Sequence, residues 1–257
     1  ALVPLLTAAF NASWERGELS RAQLTAQVRL LKKQKPGLDE TALASYRPIA
    51  LREADYRLLA RVLVARVNPA LQAALPATQV GFVPKRRSAD AGRHLQFLLE
   101  ELRHLDLPHA ALLSLDQEKA YDLVDHDWIL ACYDAYGFGP RILSLLRAIY
   151  DGQRLTARYN VNGFLSPGVK LRTGLPQGDP LSCASWVLCF QPFLDALTLR
   201  KIALSIPSPL NPLRPEILTV VAFADDSVML CSSLSSSLPA LNRLSDDWRL
   251  ASNGRLN

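Results

Sequence analysis

The sequence contains few cysteines and no motif built from them. Its four cysteines, Cys132, Cys183, Cys189 and Cys231, form neither a Cys-x-x-Cys pair nor a cluster with histidine. This pattern argues against a structural zinc site or a disulfide framework and favours a reducing compartment. No apolar run approaches the roughly 18 residues that a membrane span needs, so no membrane partner is expected. The chain also lacks an initiator methionine and the basic flank of a signal peptide, which is typical of the middle of a longer protein.

The overall composition is that of a globular protein with an uneven charge distribution. Hydrophobic residues make up 49% of the 257 positions and charged residues 21%, which excludes a disordered chain. Residues 1–105 hold 16 Lys and Arg against 9 Asp and Glu, a net charge of +7, whereas residues 106–257 hold 13 against 15, a net of −2. A basic front half and an acidic back half fit a polyanion bound at one end and cations at the other. A solvated basic face is the alternative.

Two adjacent carboxylates, Asp225 and Asp226, stand between two short apolar runs, residues 218–223 and 228–231. Such runs are typical of buried strands, so the pair is expected at the turn of a hairpin. Two neighbouring anions repel each other unless cations or solvent compensate them, and a divalent metal would do so. An Asp-Asp turn that merely closes a hairpin is the other interpretation, since Asp favours turns.

Periodicity and capping residues predict most of the remaining elements. Residues 24–31 fit a strand or a helix equally well. We expect Pro69 to end the helix that begins near Asp55, and its inner face to comprise Leu58, Leu59, Val62 and Leu63. A buried strand, 110–115, ends in Asp116, and Asn162-Gly163 is a strong hairpin signal. Further helices are expected at 1–16, 90–105, 125–136, 140–149, 181–199 and 238–250, and four prolines between Pro207 and Pro215 predict a stiff loop.

A glycine-bounded loop, Gly174 to Ser182, precedes the predicted helix 181–199. Glycines permit close approach of the backbone, and the start of a helix offers free N–H groups to an anion or a base. An ordinary turn before a helix is the alternative. Two clusters of cations, at residues 32–35 and 85–87, stand in other loops, either as solvated charges or as anion contacts.

The order of these features suggests a chemistry. A strand that ends in Asp116, a loop with Gln177 and a hairpin with Asp225 and Asp226 could bring three carboxylates together around two divalent ions, as in-line phosphoryl transfer requires. Mg²⁺ prefers oxygen ligands and keeps substrate phosphates among them, which suits carboxylates without His or Cys.

The sequence resembles the reverse transcriptase domain of non-LTR (LINE-like) retrotransposons over essentially its whole length. Five motifs in the family's order and approximate spacing carry the resemblance: Tyr46-Arg47-Pro48-Ile49, Gln79-Val80-Gly81-Phe82-Val83-Pro84, Leu115-Asp116-Gln117-Glu118-Lys119-Ala120-Tyr121-Asp122, Gln177-Gly178-Asp179-Pro180-Leu181-Ser182 and Phe223-Ala224-Asp225-Asp226. With them, the hairpin-closing interpretation of Asp225 and Asp226 would require coincidences at four other places. This sequence departs from the family's pattern at three places. Lys85 stands where glycine is usual, Leu175-Pro176 where a basic residue is common, and Cys183 where proline is frequent.

The resemblance implies an α+β fold, a right-hand polymerase with fingers and a ferredoxin-like palm. Residues 1–94 would be mainly fingers and residues 95–257 mainly palm, with a fingers insertion near 132–172. The chain ends inside the segment that usually leads to the primer grip, so the thumb is missing. We therefore expect a fragment of one reverse transcriptase domain.

The resemblance also implies roles for individual residues. Asp116, Asp225 and Asp226 match the metal-binding triad, with two Mg²⁺ ions expected and Mn²⁺ as a possible substitute. Tyr121 matches the aromatic residue that screens against a nucleotide 2′-hydroxyl; packing in the core is its alternative role. Three more residues would contact the nucleotide: Lys33 and Arg47 would bind its triphosphate, and Gln177 would lie near the incoming nucleotide. Arg86 would contact the template.

The implied activity is RNA-directed DNA polymerisation, with an RNA template, a DNA primer and dNTPs as partners. The alternatives are a catalytically impaired nucleic-acid-binding remnant and an RNA-dependent RNA polymerase, against which Tyr121 and the Gln-Gly-Asp-Pro-Leu-Ser loop argue. An intracellular location, nucleus or cytoplasm, is expected. The sequence says nothing of the oligomeric state or of which RNA is copied.

Overall fold

The structure, a computed structural model, describes residues 2–104, 107, 109–206 and 216–257. Its helices are α1 (Leu2–Arg16), α2 (Ala54–Ala74), α3 (Ser88–Arg103), α4 (Ala120–Leu123), α5 (His126–Ala135), α6 (Pro140–Ile149), α7 (Ser182–Leu199) and α8 (Leu234–Ser252). Its strands are β1 (Thr25–Lys32), β2 (Tyr46–Leu51), β3 (Ala111–Leu115), β4 (Thr156–Val161), β5 (Phe164–Leu165), β6 (Val169–Lys170), β7 (Leu204–Ile206), β8 (Glu216–Leu218), β9 (Val220–Phe223) and β10 (Asp226–Cys231).

The chain divides into two compact units. The first comprises residues 1–66 and 124–182, and the second comprises residues 67–123 and 183–257. The assignment of residues 1–94 to fingers and of 95–257 to palm, with an insertion near 132–172, stays a prediction.

The first unit is built on a sheet with the order β2-β1-β4-β5, to which β6 adds by pairing with β4. Strand β1 runs antiparallel to β2 and parallel to β4, so the ambiguous segment 24–31 is a strand. Small side chains, Ala26, Val28, Ala50 and Ala157, form one buried cluster on it. The Asn162-Gly163 turn joins β4 to β5, which confirms the hairpin that this dipeptide predicts.

The second unit is built on an antiparallel sheet with the order β3-β10-β9. Leu98 of α3 packs with Val221 of β9 and Leu230 of β10 in one buried cluster. Strand β3 is an edge strand, and only Leu115 of its five residues is buried. The expectation of a buried strand there was wrong, because the alternate residues Leu112 and Ser114 are exposed.

Helix α7 is the most apolar helix of this unit. Trp186, Phe190 and Phe193 are buried and stack along it, and Trp248 of α8 meets the last two rings. By length and composition α7 could cross a membrane, although 67% of it is buried. The sequence-based statement that no run is long enough was therefore wrong, but a core helix passes the same test.

Helix α2 corrects two further expectations. Pro69 lies inside the helix and does not end it. Proline removes one intrahelical hydrogen bond, but the burial of Leu71 and Leu75 beyond it favours continuation. The inner face is also different, since Leu58 and Val62 are 44% and 43% exposed.

The other predicted helices are present, α6 with the predicted bounds and the rest with shifted ends. Asp125 caps α5 by accepting from the Asp127 N–H, and Gly137 follows the helix with a positive φ of 78°. None of the four cysteines forms a disulfide bond. The proline loop, 207–215, lies outside the described residues.

Candidate functional site

The Asp225-Asp226 pair lies where the sequence predicts it, at the turn between β9 and β10. Strand β9 ends at Phe223, which pairs with Asp226, the first residue of β10. Ala224 and Asp225 form the turn, and Ala224 is buried with a left-handed φ of 58°. A residue with a Cβ adopts that conformation only at a cost, so the turn must be held by its surroundings.

Asp116 lies at the same end of this sheet because of the register between β3 and β10. Leu115 pairs with Ser227, and the next positions along the antiparallel pair are Asp116 and Asp226. Carboxylates that are more than a hundred residues apart in the sequence therefore stand at the ends of neighbouring strands.

The Asp225 carboxyl is affected electrostatically by the other two carboxylates. Burial raises the pKa of Asp225, and the negative charges of Asp226 and Asp116 raise it further, while a backbone N–H opposes the shift. Among the described residues, no Lys or Arg forms an ion pair with any of the three. This end of the sheet therefore carries negative charge that no Lys or Arg of the described residues neutralises by an ion pair.

Those carboxylates suit a divalent cation in chemistry. Carboxylate oxygens are the ligands that Mg²⁺ prefers, and Mg²⁺ takes only one or two of them when substrate phosphates supply the rest. Within the described ranges, however, no three His, Cys, Asp or Glu side chains are grouped closely enough to hold an ion by themselves. The arrangement thus fits a metal shared with a phosphate better than a closed protein site.

Asn257 holds one of the carboxylates in place. Its Nδ2 donates to Asp116 Oδ2 at 2.6 Å, and its backbone N–H donates to the Asp116 carbonyl at 2.9 Å. The preceding residues continue this pairing, since Gln117 bridges to Leu256 and the Glu118 N–H donates to the Arg255 carbonyl. The segment 255–257 therefore orients Asp116.

Tyr121 lies close to this cluster, at the start of the short helix α4. Its ring stacks on Trp186 with centroids 5.6 Å apart. Burial raises the pKa of Tyr121, with smaller contributions from Cys183 and from the charge of Asp225. The hydroxyl therefore stays protonated, and the ring is fixed by packing whichever of its two predicted roles it has.

Arg86 belongs to the second unit, like the three aspartates. Its guanidinium binds backbone carbonyls of that unit. It donates to the Leu75 carbonyl at 2.7 Å, to the Gln79 carbonyl at 2.6 Å and to the Pro76 carbonyl. Partial burial lowers the pKa of Arg86. The predicted template contact stays a prediction, beside a structural role that the sequence did not suggest.

The other predicted nucleotide-binding residues belong to the first unit. Arg47 pairs with Leu31 of β1, and Lys33 directly follows the end of that strand. Lys33 Nζ donates to the Ala44 carbonyl at 2.7 Å, whereas the exposed Arg47 side chain has no partner within the part of the chain described. Gln177 docks by its backbone, since its carbonyl accepts from the Ala50 N–H at 2.7 Å.

Asp179, in the same loop as Gln177, is a buried structural carboxylate. Its Oδ2 accepts from the Tyr56 hydroxyl at 2.7 Å and from Arg52 Nη1 at 3.2 Å, and its Oδ1 accepts from the Leu181 N–H at 2.9 Å. The Arg52 guanidinium also lies 3.8 Å from the centre of the Tyr56 ring. Burial and the Asp179 charge both raise the pKa of Tyr56, so its hydroxyl remains a donor.

Sequence reasoning missed four residues of these arrangements: Arg52, Tyr56, Gln79 and Asn257. Gln79 is part of a quoted motif, but no role was inferred for it. Arg52 and Tyr56 follow strand β2 among other basic and apolar residues and show no local signal. Only pairing across more than a hundred positions identifies Arg52, Tyr56 and Asn257.

Comparison with known proteins places these features in a family. Residues 31–253 match the reverse transcriptase (RNA-dependent DNA polymerase) family. A transposon TX1 uncharacterized 149 kDa protein of Xenopus laevis is 30% identical over 98% of this chain, which covers 18% of that protein. The chain is 27% identical, over 73% of its length and 25% of the relative, to a retrovirus-related Pol polyprotein from the type-1 retrotransposable element R2 of Popillia japonica. A probable RNA-directed DNA polymerase from transposon BS of Drosophila melanogaster is 26% identical over 79% of this chain and 21% of its own length.

Solved structures agree on the fold. Apo telomerase from Candida tropicalis superposes with a TM-score of 0.61 at 12% identity over 100% of this chain and 47% of that one. Telomerase from Candida albicans, in complex with a TWJ fragment of telomeric RNA, gives 0.57 at 12% identity over 97% and 44%. At this identity the likeness concerns the fold alone, and it confirms the predicted right-hand polymerase fold. The chain spans about a quarter or less of the curated relatives it matches.

Proposed function

We propose, from the premise that this chain belongs to the reverse transcriptase family, that it forms the polymerase part of a non-LTR retrotransposon protein. Its reaction is RNA-directed DNA synthesis, in which a primer 3′-hydroxyl attacks the α-phosphate of a dNTP and pyrophosphate leaves. The single observation that carries this proposal is the register of β3 against β10, which sets Asp116 opposite Asp226 and beside Asp225.

We further propose that Asp116, Asp225 and Asp226 are the catalytic metal ligands. Two Mg²⁺ ions, for which Mn²⁺ could substitute, would activate the 3′-hydroxyl and neutralise charge on the phosphates. The carboxylates of Asp116 and Asp226 are exposed, and that of Asp225 is half-buried. All three offer oxygens at one end of the sheet. Asn257 keeps Asp116 oriented for that task.

Four residues are proposed to contact the nucleotide. Lys33 and Arg47 supply positive charge for the triphosphate, and Arg47 is free to do so. Gln177 stands in a loop whose backbone is anchored at Ala50, so its side chain can meet the incoming nucleotide. Tyr121, fixed against Trp186, would exclude a 2′-hydroxyl by its bulk.

The partners that we propose are an RNA template and a DNA primer. The structure of a telomerase of the same fold with an RNA fragment supports the first of them, and Arg86 is a candidate template contact. The basic character of residues 1–105 also favours a polyanion. An intracellular site of action, in the nucleus or the cytoplasm, follows from the same proposal.

Primer extension on an RNA template tests this function. Asp225→Asn should lower kcat at least about a hundredfold, because it removes a charge that acts on the developing transition state. Asp246→Asn, the same change at an exposed position of α8 in the second unit, should leave kcat unchanged. Extension that survives Asp225→Asn would refute the proposal, and equal use of ribonucleotides would indicate an RNA polymerase.

A further inference from the structure

A short segment with no assigned role contacts the turn that carries Asp225. Residues 78–81 run parallel to β9: the Val80 N–H donates to the Ala222 carbonyl, and the Ala222 N–H donates to the Thr78 carbonyl, both at 2.8 Å. These bonds place Gln79 and Gly81 against the residues that precede the two aspartates.

The side chain of Gln79 binds both backbone groups of Ala224. Its Oε1 accepts from the Ala224 N–H at 3.1 Å and from the Gly81 N–H at 3.0 Å, and its Nε2 donates to the Ala224 carbonyl at 3.4 Å. Gln79 is 0% exposed, so water does not compete for these groups. Ala224 is the turn residue with the left-handed φ, and such a conformation persists only where the surroundings determine it.

Gly81 contacts the same turn by close approach. A Cβ added to Gly81 would lie 2.1 Å from the Ala224 nitrogen and 2.8 Å from its Cα. Both are backbone atoms, so no side chain could move aside to make room. Any residue larger than glycine would therefore displace the turn itself.

The chemistry of the amide explains why glutamine suits this position. It offers a donor and an acceptor to the two groups of one residue and carries no charge beside carboxylates that already repel one another. Arg86 fixes the far side of Gln79 by donating to its carbonyl at 2.6 Å. The arrangement holds the turn by its backbone and does not use the carboxylates of Asp225 and Asp226.

We propose that Gln79 and Gly81 are positioning residues that fix the Ala224 turn and thereby set the positions of Asp225 and Asp226 relative to Asp116. This inference rests on the function proposed above. A misplacement of about 1 Å at a reacting group can cost a hundredfold in rate. Loss of the contacts that Gln79 and Gly81 make with Ala224 should therefore lower kcat, while the binding of the dNTP, and hence its KM, changes little.

Two variants test the proposal by independent routes. Gln79→Leu removes the hydrogen-bonding groups at nearly constant size, and Gly81→Ala keeps every such group but introduces the clash. Both should lower kcat for primer extension about a hundredfold, with the KM for dNTP within about threefold of wild type. Gln191→Leu, the same change at another buried glutamine of the same unit, and Gly92→Ala, at a glycine with open space around it, should retain kcat within about threefold.

Hydrogen exchange supplies a readout that does not depend on activity. In Gln79→Leu the amides of Gly81 and Ala224 should exchange at least about tenfold faster than in wild type, whereas in Gln191→Leu they should not. Unchanged exchange at those amides, or equal losses of kcat in Gln79→Leu and Gln191→Leu, would overturn the proposal. If Gln79→Leu does not fold, Gly81→Ala decides by the same criteria. If Asp225→Asn leaves primer extension intact, the proposed function fails. The exchange experiment would still show whether Gln79 and Gly81 hold the Ala224 turn.

Discussion

Two aspartate-bearing turns, one in each unit, are held in opposite ways. The loop of the first unit is anchored through the carboxylate of Asp179, which accepts from Tyr56, Arg52 and the Leu181 N–H. The turn of the second unit is anchored through the backbone of Ala224, while the carboxylates beyond it stay unpaired with any cation of the described chain. An aspartate whose oxygens are satisfied inside the protein is structural, whereas one that is held in place but left unsatisfied is available to a metal or a substrate.

The largest effect on stability is expected at the paired turn. Arg52→Met would leave the Asp179 carboxylate, 3% exposed, without its cation. Breaking such a buried pair costs about 3–5 kcal/mol. Urea denaturation should therefore show a loss of that size in the free energy of unfolding.

Arg57→Met is the matched control, because Arg57 is exposed and its side chain has no ion-pair partner among the described residues. Its cost should stay within about 0.5 kcal/mol. Similar losses in the two variants would show that the Arg52–Asp179 pair does not anchor the loop.

A smaller loss is expected from the neutral donor of the same network. Tyr56→Phe removes the hydroxyl that donates to Asp179 at 2.7 Å and should cost about 1–3 kcal/mol, since a buried acceptor loses a partner. Tyr46→Phe, which removes an exposed hydroxyl bonded to the Glu40 carbonyl, should cost no more than about 0.5 kcal/mol. The comparison of turns would weaken if Tyr56→Phe were as mild as Tyr46→Phe under urea denaturation.

The smallest effect, of opposite sign, is expected at the unpaired turn. Burial and the charges of Asp226 and Asp116 raise the pKa of Asp225 in the folded chain. Deprotonation is therefore harder when folded, and its cost appears as the pH rises from the unfolded pKa through the folded one. Asp225→Asn removes that cost, so without metal the variant should be more stable than wild type near pH 7, by less than about 1 kcal/mol because the site is partly exposed to solvent.

Thermal unfolding in EDTA across pH 3–8 measures this difference. The advantage of Asp225→Asn should vanish at pH values below the unfolded pKa of about 3.9, and added Mg²⁺ should stabilise only the wild type. A variant less stable than wild type at pH 7 would show that the Asp225 carboxylate is paired like that of Asp179.

Different levels of structure were accessible to sequence reasoning to different degrees. The β9–β10 hairpin, the cap at Asp125 and the Asn162-Gly163 turn follow from local residue chemistry and were predicted. The continuation of α2 through Pro69 and the exposure of β3 were not, because the burial of Leu71 and the exposure of Leu112 depend on tertiary packing.

The sequence by itself identified the family and the class of fold and predicted three metal-binding carboxylates, because the motifs that carry the resemblance are short and follow one another in order along the chain. Only the tertiary structure decided that Asp179 is neutralised by Arg52 and that Gln79 binds Ala224, since these partners lie 127 and 145 residues apart. The register of β3 against β10 likewise brings Asp116 to Asp226. Which aspartates remain free depends on such distant partners, and a local pattern contains no record of them.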